Sequence, residues 1–375
     1  MDKGRTRQFF PLPLKSLGSE SQMISSWIEV LRTCNLSPEK KLDPVSKWLI
    51  ITRSCVFSMT LISAGIGAML AALNKNFSIG IFLLVALGLT LAHAANNMVN
   101  DLFDYWQGTD TQDYPRANYA PHPILSGMVS TRGLIAAILI CNLSCLAIAL
   151  YLYTLRGPMI LALAAAGLLT SVFYVAPPPK LKYRGFGELA IFVIWGPLMI
   201  AGTYYALAGS APLSVWVNSI PYGLAVTAVL MGKHLDKQEK DRAKGVRTLP
   251  VVLGDKRARL LTQLMILAFY LAVAVLAGHG DLPWPTLLVI LSLPKAVRFI
   301  SVLSLPAPAT PREAFALAEE VIPPDLKAKF DPCAPAESYP LWPLWYVAWG
   351  VWWTRTAGGL LVAGLLLALL IASIL

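Results

Sequence analysis

Long apolar runs, each of about 20 residues, repeat along most of this 375-residue chain. A helix of that length crosses the hydrocarbon core of a bilayer, so the runs predict an all-α, polytopic membrane protein with about nine transmembrane helices. The runs are continuous and do not alternate between polar and apolar residues, which argues against a transmembrane β-barrel. We place the spans near 48–73, 77–100, 133–154, 157–176, 187–208, 213–232, 259–278, 283–303 and 357–375.

The basic residues predict the orientation of these spans. The chain has 31 Lys and Arg residues and a net charge of +10. If the N-terminus is cytoplasmic, only Lys75 and Arg156 fall on the other side, as the positive-inside rule favours. We therefore expect an integral protein of the plasma (inner) membrane with a cytoplasmic N-terminus. Topology and contact with membrane lipid account for most of the positive charge, so we infer neither nucleic acid nor an obligate protein as a partner.

Changes in composition divide the chain into four segments. Residues 1–47 are polar and predict a flexible cytoplasmic arm with one short amphipathic helix near 24–32, and residues 48–303 form the core of spans 1 to 8. Residues 304–356 are rich in Pro and Trp, which predicts a cytoplasmic insertion ending in an interfacial helix, and 357–375 form the last span. The five Cys residues have no metal-ligand pattern around them, and we expect inert thiols.

Two clusters of acidic residues lie at the ends of apolar spans. Asn97, Asn100, Asp101 and Asp104 close the second span, and their spacing places them on one helical stripe roughly 100° wide. A second cluster, residues 234–241, closes the sixth span. Charge at membrane depth is costly and usually functional. Because four spans separate the clusters, we predict two parallel four-helix repeats around a central cavity open to the cytoplasmic side.

The chemistry of these clusters points to a metal and a phosphorylated ligand. Carboxylate and amide oxygens suit Mg²⁺, which binds proteins through a few carboxylates together with substrate phosphates. Cations flank both clusters, at 180–184 after an extended Pro-rich segment and at Arg242, Lys244 and Arg247. A diphosphate held this way is a better leaving group, because the charge it gains on departure is neutralised. If the diphosphate is esterified to an allylic chain, its departure leaves a carbocation.

Several motifs resemble those of a known family. Asn100-Asp101-x-x-Asp104-x-x-x-Gly108-x-Asp110 resembles the first aspartate-rich motif of the UbiA superfamily of intramembrane prenyltransferases, and the segment from His234 through Asp241 to Pro250 resembles the second. Residues 123–127 are similar to the element that follows the first motif. Residues 182–189 resemble the corresponding stretch in the branch of the family that prenylates 1,4-dihydroxy-2-naphthoate on the way to menaquinone. The resemblance covers residues 45–300.

The resemblance implies a Mg²⁺-dependent transfer of a prenyl group from an isoprenoid diphosphate to an aromatic or quinone-precursor acceptor within the membrane. It implies four catalytic carboxylates, which are Asp101, Asp104, Asp236 and Asp241. The same four residues and Asn97 are the implied metal ligands. The diphosphate-binding residues are expected to be Arg53, Asn97, Asn100, Lys180, Lys182, Arg184, Arg242, Lys244 and Arg247.

Two positions depart from the pattern of the family. The second motif usually spaces its carboxylates four apart, whereas Asp236 and Asp241 are five apart and would diverge on a regular helix. Either the helix ends before Asp241, or Glu239 takes over one ligand role. His122 stands where relatives usually have Arg, so its charge would depend on pH.

Other functions remain open at this point. A prenyltransferase could instead use 4-hydroxybenzoate, homogentisate or a phosphosugar as its acceptor. A cation-coupled transporter would also have intramembrane acids and a parallel repeat, but its acids would cluster near the membrane midplane. A non-catalytic membrane scaffold would tolerate the loss of Asp101 or Asp241.

Overall fold

The computed structural model describes residues 19–37, 39–319, 322 and 344–374 of the chain. These residues form helices and loops, and no β-strand occurs among them. Eight of the helices are long and apolar enough to cross a membrane, and a further apolar helix, Met159–Val175, is shorter. The predicted all-helical membrane fold is confirmed.

Every predicted span corresponds to an observed helical segment, and we number these segments span 1 to span 9. Span 2 extends past its predicted end at residue 100, so the whole first acidic cluster is helical. The bounds in chain order are Ser54–Leu73, Ile79–Trp106, Thr131–Arg156, Met159–Val175, Gly187–Ala208, Leu213–Asp236, Asp255–His279, Trp284–Ser304 and Tyr346–Ile374. The shorter described helices are Ser19–Thr33, Pro44–Ile51, Pro115–Tyr119, the 3₁₀ turn Leu181–Arg184, Gln238–Ala243, Leu249–Leu253 and Pro311–Ala318.

Span 9 lies at the centre of the packing between helices. It packs against spans 1, 6 and 8, while span 1 also packs against span 5, and span 2 against span 3. Trp353 of span 9 is fully buried, with ring centroids 5.5 Å from Phe269 and 6.3 Å from Phe299. Aromatic burial of this kind fixes span 9 against spans 7 and 8.

The predicted start of the last span was wrong. The helix begins at Tyr346 and runs without a break to Ile374, so the Trp-rich stretch belongs to span 9 and not to a separate interfacial helix. Trp349 and Trp353 are buried inside the bundle, and Asp236 binds the backbone amides that open the helix. Residues 320–321 and 323–343 of the 304–356 insertion, Trp342 among them, lie outside the described residues; within the described part, Pro311–Ala318 is helical.

The described part of the N-terminal arm contains the helix Ser19–Thr33 and the start of the helix Pro44–Ile51, joined by non-helical residues. Ser19–Thr33 contains the predicted amphipathic helix and exposes Ile24 and Ile28. The expectation of inert thiols was wrong for Cys34 and Cys55, which form a disulfide. The arm folds back onto the start of span 1, a tertiary contact that the residue pattern did not indicate. Among the other thiols, Cys141 and Cys145 are free, and Cys333 lies outside the described residues.

A glycine in span 9 permits close packing against span 8. A Cβ atom at Gly364 would lie 2.4 Å from the carbonyl oxygen of Pro285, whereas one at Gly359 of the same helix would meet no atom within 4 Å. We therefore expect Gly364→Val to destabilise the protein by about 3 kcal/mol, since backbone cannot yield as a side chain can. The thermal unfolding midpoint of purified protein measures this effect. Gly359→Val is the matched control, and equal midpoints for the two variants would contradict the prediction.

Candidate active site

The first acidic cluster occupies one buried face of span 2. Asp101 is fully buried and is held by two guanidinium groups. Arg116 donates from Nε to Oδ1 and from Nη2 to Oδ2, each at 2.9 Å, and Arg53 also donates to Oδ1. Arg116 comes from the short helix Pro115–Tyr119, and Arg53 from the turn before span 1. A buried carboxylate needs such partners, because an unpaired charge there is strongly destabilising.

Asp104, one turn further along span 2, pairs with the loop between spans 4 and 5. Lys182 Nζ lies 2.5 Å from Asp104 Oδ2, and the hydroxyl of Tyr183 donates to Oδ1 at 2.8 Å. The 3₁₀ turn Leu181–Arg184 carries both side chains and brings them to Asp104. Burial lowers the pKa of Lys182, but the Asp104 carboxylate raises it, and the net shift is upward. The ammonium group therefore stays charged at neutral pH.

The second acidic cluster contributes one carboxylate to the same site. The helix of span 6 ends at Asp236, and a separate helix, Gln238–Ala243, carries Asp241. Tyr114 donates its hydroxyl to Asp241 Oδ1, and Lys237 Nζ lies 3.0 Å from that hydroxyl. Burial raises the pKa of Asp241, but nearby cations, first of all Lys237, shift it downward overall. The first alternative for the altered spacing is thus the observed one: the helix ends before Asp241.

Asp236 faces away from this cluster. Its two carboxylate oxygens accept the backbone N–H groups of Tyr346, at 2.8 Å, and Val347, at 3.0 Å. A carboxylate at the first amides of a helix satisfies unpaired donors and complements the helix dipole. Glu239, the alternative ligand, is exposed. The structure therefore does not bring either residue together with Asp101, Asp104 and Asp241.

The placement of Asp236 predicts a structural effect of its replacement. We expect Asp236→Ala to lower the thermal unfolding midpoint, because the first amides of span 9 lose their acceptor, a loss of about 1–2 kcal/mol. Affinity for inorganic diphosphate should change less than about twofold, since the carboxylate lies outside the cation cluster. Calorimetric titration of the purified variant measures this affinity. A strong loss of diphosphate affinity at an unchanged unfolding midpoint would instead favour a ligand role for Asp236.

The structure brings some of the expected diphosphate-binding residues into the cavity and leaves others outside it. Arg53 and Lys182 line the buried cavity, together with Asn100, while Asn97 donates to the carbonyl of Thr52 at 3.0 Å. Lys244 joins two loops by donating to the Gly108 carbonyl at 3.1 Å and to Thr111 Oγ1 at 2.8 Å. Lys180 is half-buried, with Nζ 5.2 Å from the centre of the Tyr183 ring. The exposed residues, which the structure does not bring into the cavity, are Arg184, Arg242 and Arg247.

Several residues of the cavity were not among the predicted site residues. Arg116, Lys233 and Lys237 line it together with Asp110. His122 Nε2 lies 3.3 Å from Asp110 Oδ2. Ligand atoms of Asp101, Asp110 and His122 all lie within 4.8 Å of one another, a spacing compatible with a shared cation. The sequence did contain a signal for Lys233 and Lys237, because Lys233, Lys237 and Asp241 follow one another at intervals of four residues. The positive-inside rule accounted for the charge of both lysines, so the spacing was not taken to indicate a site.

Apolar spans enclose aspartates and cations at one end of the bundle, which defines a helical membrane protein whose charged cavity suits a metal ion and an anion. The acids lie at the ends of spans 2 and 6 and not at their middle, unlike the site expected of a transporter. The sequence profile of the UbiA prenyltransferase family matches residues 60–318. The chain therefore belongs to the UbiA prenyltransferase family, and it is a membrane prenyltransferase.

Individual relatives agree with this assignment. The chain is 28% identical over 258 residues to the 2-carboxy-1,4-naphthoquinone phytyltransferase of Synechocystis sp., a match that covers 68% of this chain and 81% of the relative. It is 27% identical over 264 residues to the UbiA prenyltransferase domain-containing protein 1 of Rattus norvegicus, with 70% and 76% covered. In fold, it resembles a UbiA homolog from Archaeoglobus fulgidus bound to GPP and Mg²⁺, with a TM-score of 0.54 at 14% identity and 86% and 99% of the two chains covered.

Proposed function

We propose that this prenyltransferase moves a prenyl group from an isoprenoid diphosphate to a quinone-precursor acceptor of the dihydroxynaphthoate type, in a Mg²⁺-dependent reaction of the menaquinone pathway. The observation that carries the proposal is the convergence of Asp101 and Asp104 with five cations on one buried cavity. The naphthoquinone relative favours this acceptor class over 4-hydroxybenzoate, homogentisate or a phosphosugar.

The donor set of the site fits Mg²⁺. Asp101, Asp104 and Asp241 would hold the ion, with Asn97 and Asn100 as further oxygen donors, since hard cations prefer carboxylate and amide oxygens. Asp241 Oδ2 is buried and has no hydrogen-bond partner among the described residues, so it is available to a cation. When bound, the ion neutralises charge on the departing diphosphate.

The cations of the site already pair with the carboxylates. Arg53 and Arg116 bind Asp101, and Lys182 binds Asp104. Entry of a metal and a diphosphate would exchange these pairs, with the carboxylates turning to the metal and the guanidinium and ammonium groups to the phosphate oxygens. Bidentate guanidinium contacts suit phosphate especially well. The residues thus orient the leaving group and take up its charge.

The transfer then balances as an electrophilic substitution. The bond between the allylic carbon and the diphosphate oxygen breaks, and its electron pair leaves on that oxygen. The electron-rich ring of the acceptor forms a new bond to the allylic carbon and loses a proton. Because the site is buried, water is kept from the allylic cation.

Product formation in purified membranes tests the proposal. A labelled prenyl diphosphate is supplied with dihydroxynaphthoate, 4-hydroxybenzoate, homogentisate or a phosphosugar, each with Mg²⁺ or with EDTA. We expect a Mg²⁺-dependent product from dihydroxynaphthoate. A product from another acceptor alone would overturn the acceptor assignment, and a product formed equally in EDTA would overturn the metal dependence.

A further inference from the structure

Two lysines at the end of span 6 belong to the five cations of the cavity, and the function proposed above gives neither of them a contact of its own. Lys233 and Lys237 are one helical turn apart, and both line the cavity. Lys237 is only 4% exposed, and its Nζ lies 3.0 Å from the Tyr114 hydroxyl and 3.5 Å from Asp241 Oδ1. Lys233 forms no hydrogen bond or ion pair with any residue that the structure describes. Its side-chain amine is therefore available to an anionic ligand, which would supply the negative charge that a buried ammonium group needs.

The two sides of the cavity therefore differ in charge. The span 2 side presents Asp101, Asp104 and Asp110. On the span 6 side, Asp236 is engaged with the start of span 9, and Lys237 occupies the position one turn before Asp241. That side thus offers one carboxylate and two lysine side chains. Carboxylates are the main protein ligands of Mg²⁺, so the span 6 side is poorly equipped to hold a metal ion of its own.

We propose that the site binds one Mg²⁺, on the span 2 side, and that Lys233 and Lys237 take the place of a second divalent cation in holding the diphosphate. This inference rests on the proposed function, in which the ligand is a prenyl diphosphate. Lys237 and Lys233 would contact phosphate oxygens directly as charge-assisted donors. Asp241, held by Tyr114 and Lys237, would complete the coordination of the single ion from across the cavity.

The test counts metal ions by electron paramagnetic resonance. The full chain in lipid nanodiscs is titrated with Mn²⁺, a paramagnetic probe for the Mg²⁺ site, in the presence of inorganic diphosphate. We expect one bound Mn²⁺ per wild-type chain and two per Lys237→Asp chain, since that change exchanges a cation for a ligand. Two bound ions per wild-type chain would overturn the inference, and this measurement needs no variant to fold.

Diphosphate affinity is the second readout. We expect Lys237→Met to bind inorganic diphosphate about tenfold more weakly than the wild type at saturating Mn²⁺, because a charge-assisted contact is lost. Lys240→Met is the matched control, since Lys240 is exposed on the neighbouring helix Gln238–Ala243. Equal affinities for the two variants, with equal unfolding midpoints, would overturn the role of Lys237. If no acceptor is prenylated but one Mn²⁺ binds and Lys237→Met weakens diphosphate binding, the proposed acceptor fails and this inference stands.

Discussion

Replacement of Asp101 by asparagine should lower the rate of prenyl transfer about a thousandfold, as when a preorganised charge is removed from an active site. Asparagine keeps the size of the side chain but removes the negative charge that Arg53 and Arg116 surround. It also removes the fully buried carboxylate that we assign to Mg²⁺. Initial rates in membranes, with a labelled prenyl diphosphate and the acceptor that the wild type accepts, measure this loss.

A surface aspartate provides the control for this variant. Asp255 is 49% exposed at the start of span 7, where it pairs with Arg259 at 2.7 Å, and ion pairs open to solvent on one side contribute little. We expect Asp255→Asn to keep the rate within about twofold of the wild type, since surface substitutions are usually neutral. Membrane insertion and the unfolding midpoint of Asp101→Asn are measured alongside. A folded and fully active Asp101→Asn enzyme would refute the assignment of Asp101 to the metal.

The membrane helices could be predicted from the sequence because their signal is local. Continuous apolar runs indicate spans in lipid, where every backbone group must be paired within its own helix. The stripe of Asn97, Asn100, Asp101 and Asp104 was predictable for a related reason, since a regular helix repeats every 3.6 residues. Span 2 remains helical through Trp106, so the predicted stripe exists.

Residues whose roles depend on distant contacts could not be predicted in this way. The role of Asp236 depends on the start of a helix that lies 110 positions later in the chain. Arg116 reaches Asp101 only because the loop after span 2 turns back over the site. Such loop contacts follow from tertiary packing and leave no periodic pattern in the sequence. The beginning of span 9 at Tyr346 was missed for the same reason as Asp236.

The pairing of charges in the site has a mechanistic consequence. Each of Asp101, Asp104 and Asp241 contacts a cation, so no carboxylate of this set is left buried as an isolated charge. Arg53, Arg116 and Lys182 would therefore have two partners in turn, these carboxylates and, during turnover, the phosphate oxygens. The pairing avoids the cost of leaving a carboxylate buried without a partner.

Lys182 gives the sharpest test of this exchange of partners. We expect Lys182→Met to lower kcat/KM for the prenyl diphosphate about a hundredfold, because a buried charge-assisted contact to phosphate is lost. The same change should lower the Mg²⁺ concentration needed for half-maximal rate, since Lys182 no longer competes with the ion for Asp104. Rates measured across a grid of Mg²⁺ and prenyl diphosphate concentrations separate the two effects. Their opposite directions distinguish an exchange of partners from a general loss of structure.

Arg184, two residues further along the same 3₁₀ turn, is the comparison for Lys182. Its side chain is exposed, so Arg184→Met removes one positive charge from the same loop without touching Asp104. Because water screens exposed charges, we expect a loss in kcat/KM of less than about threefold and an unchanged Mg²⁺ requirement. Equal losses in the two variants would mean that the loop acts through its total charge. A hundredfold loss confined to Lys182→Met, with tighter apparent Mg²⁺ binding, requires the buried ammonium to alternate between Asp104 and the diphosphate.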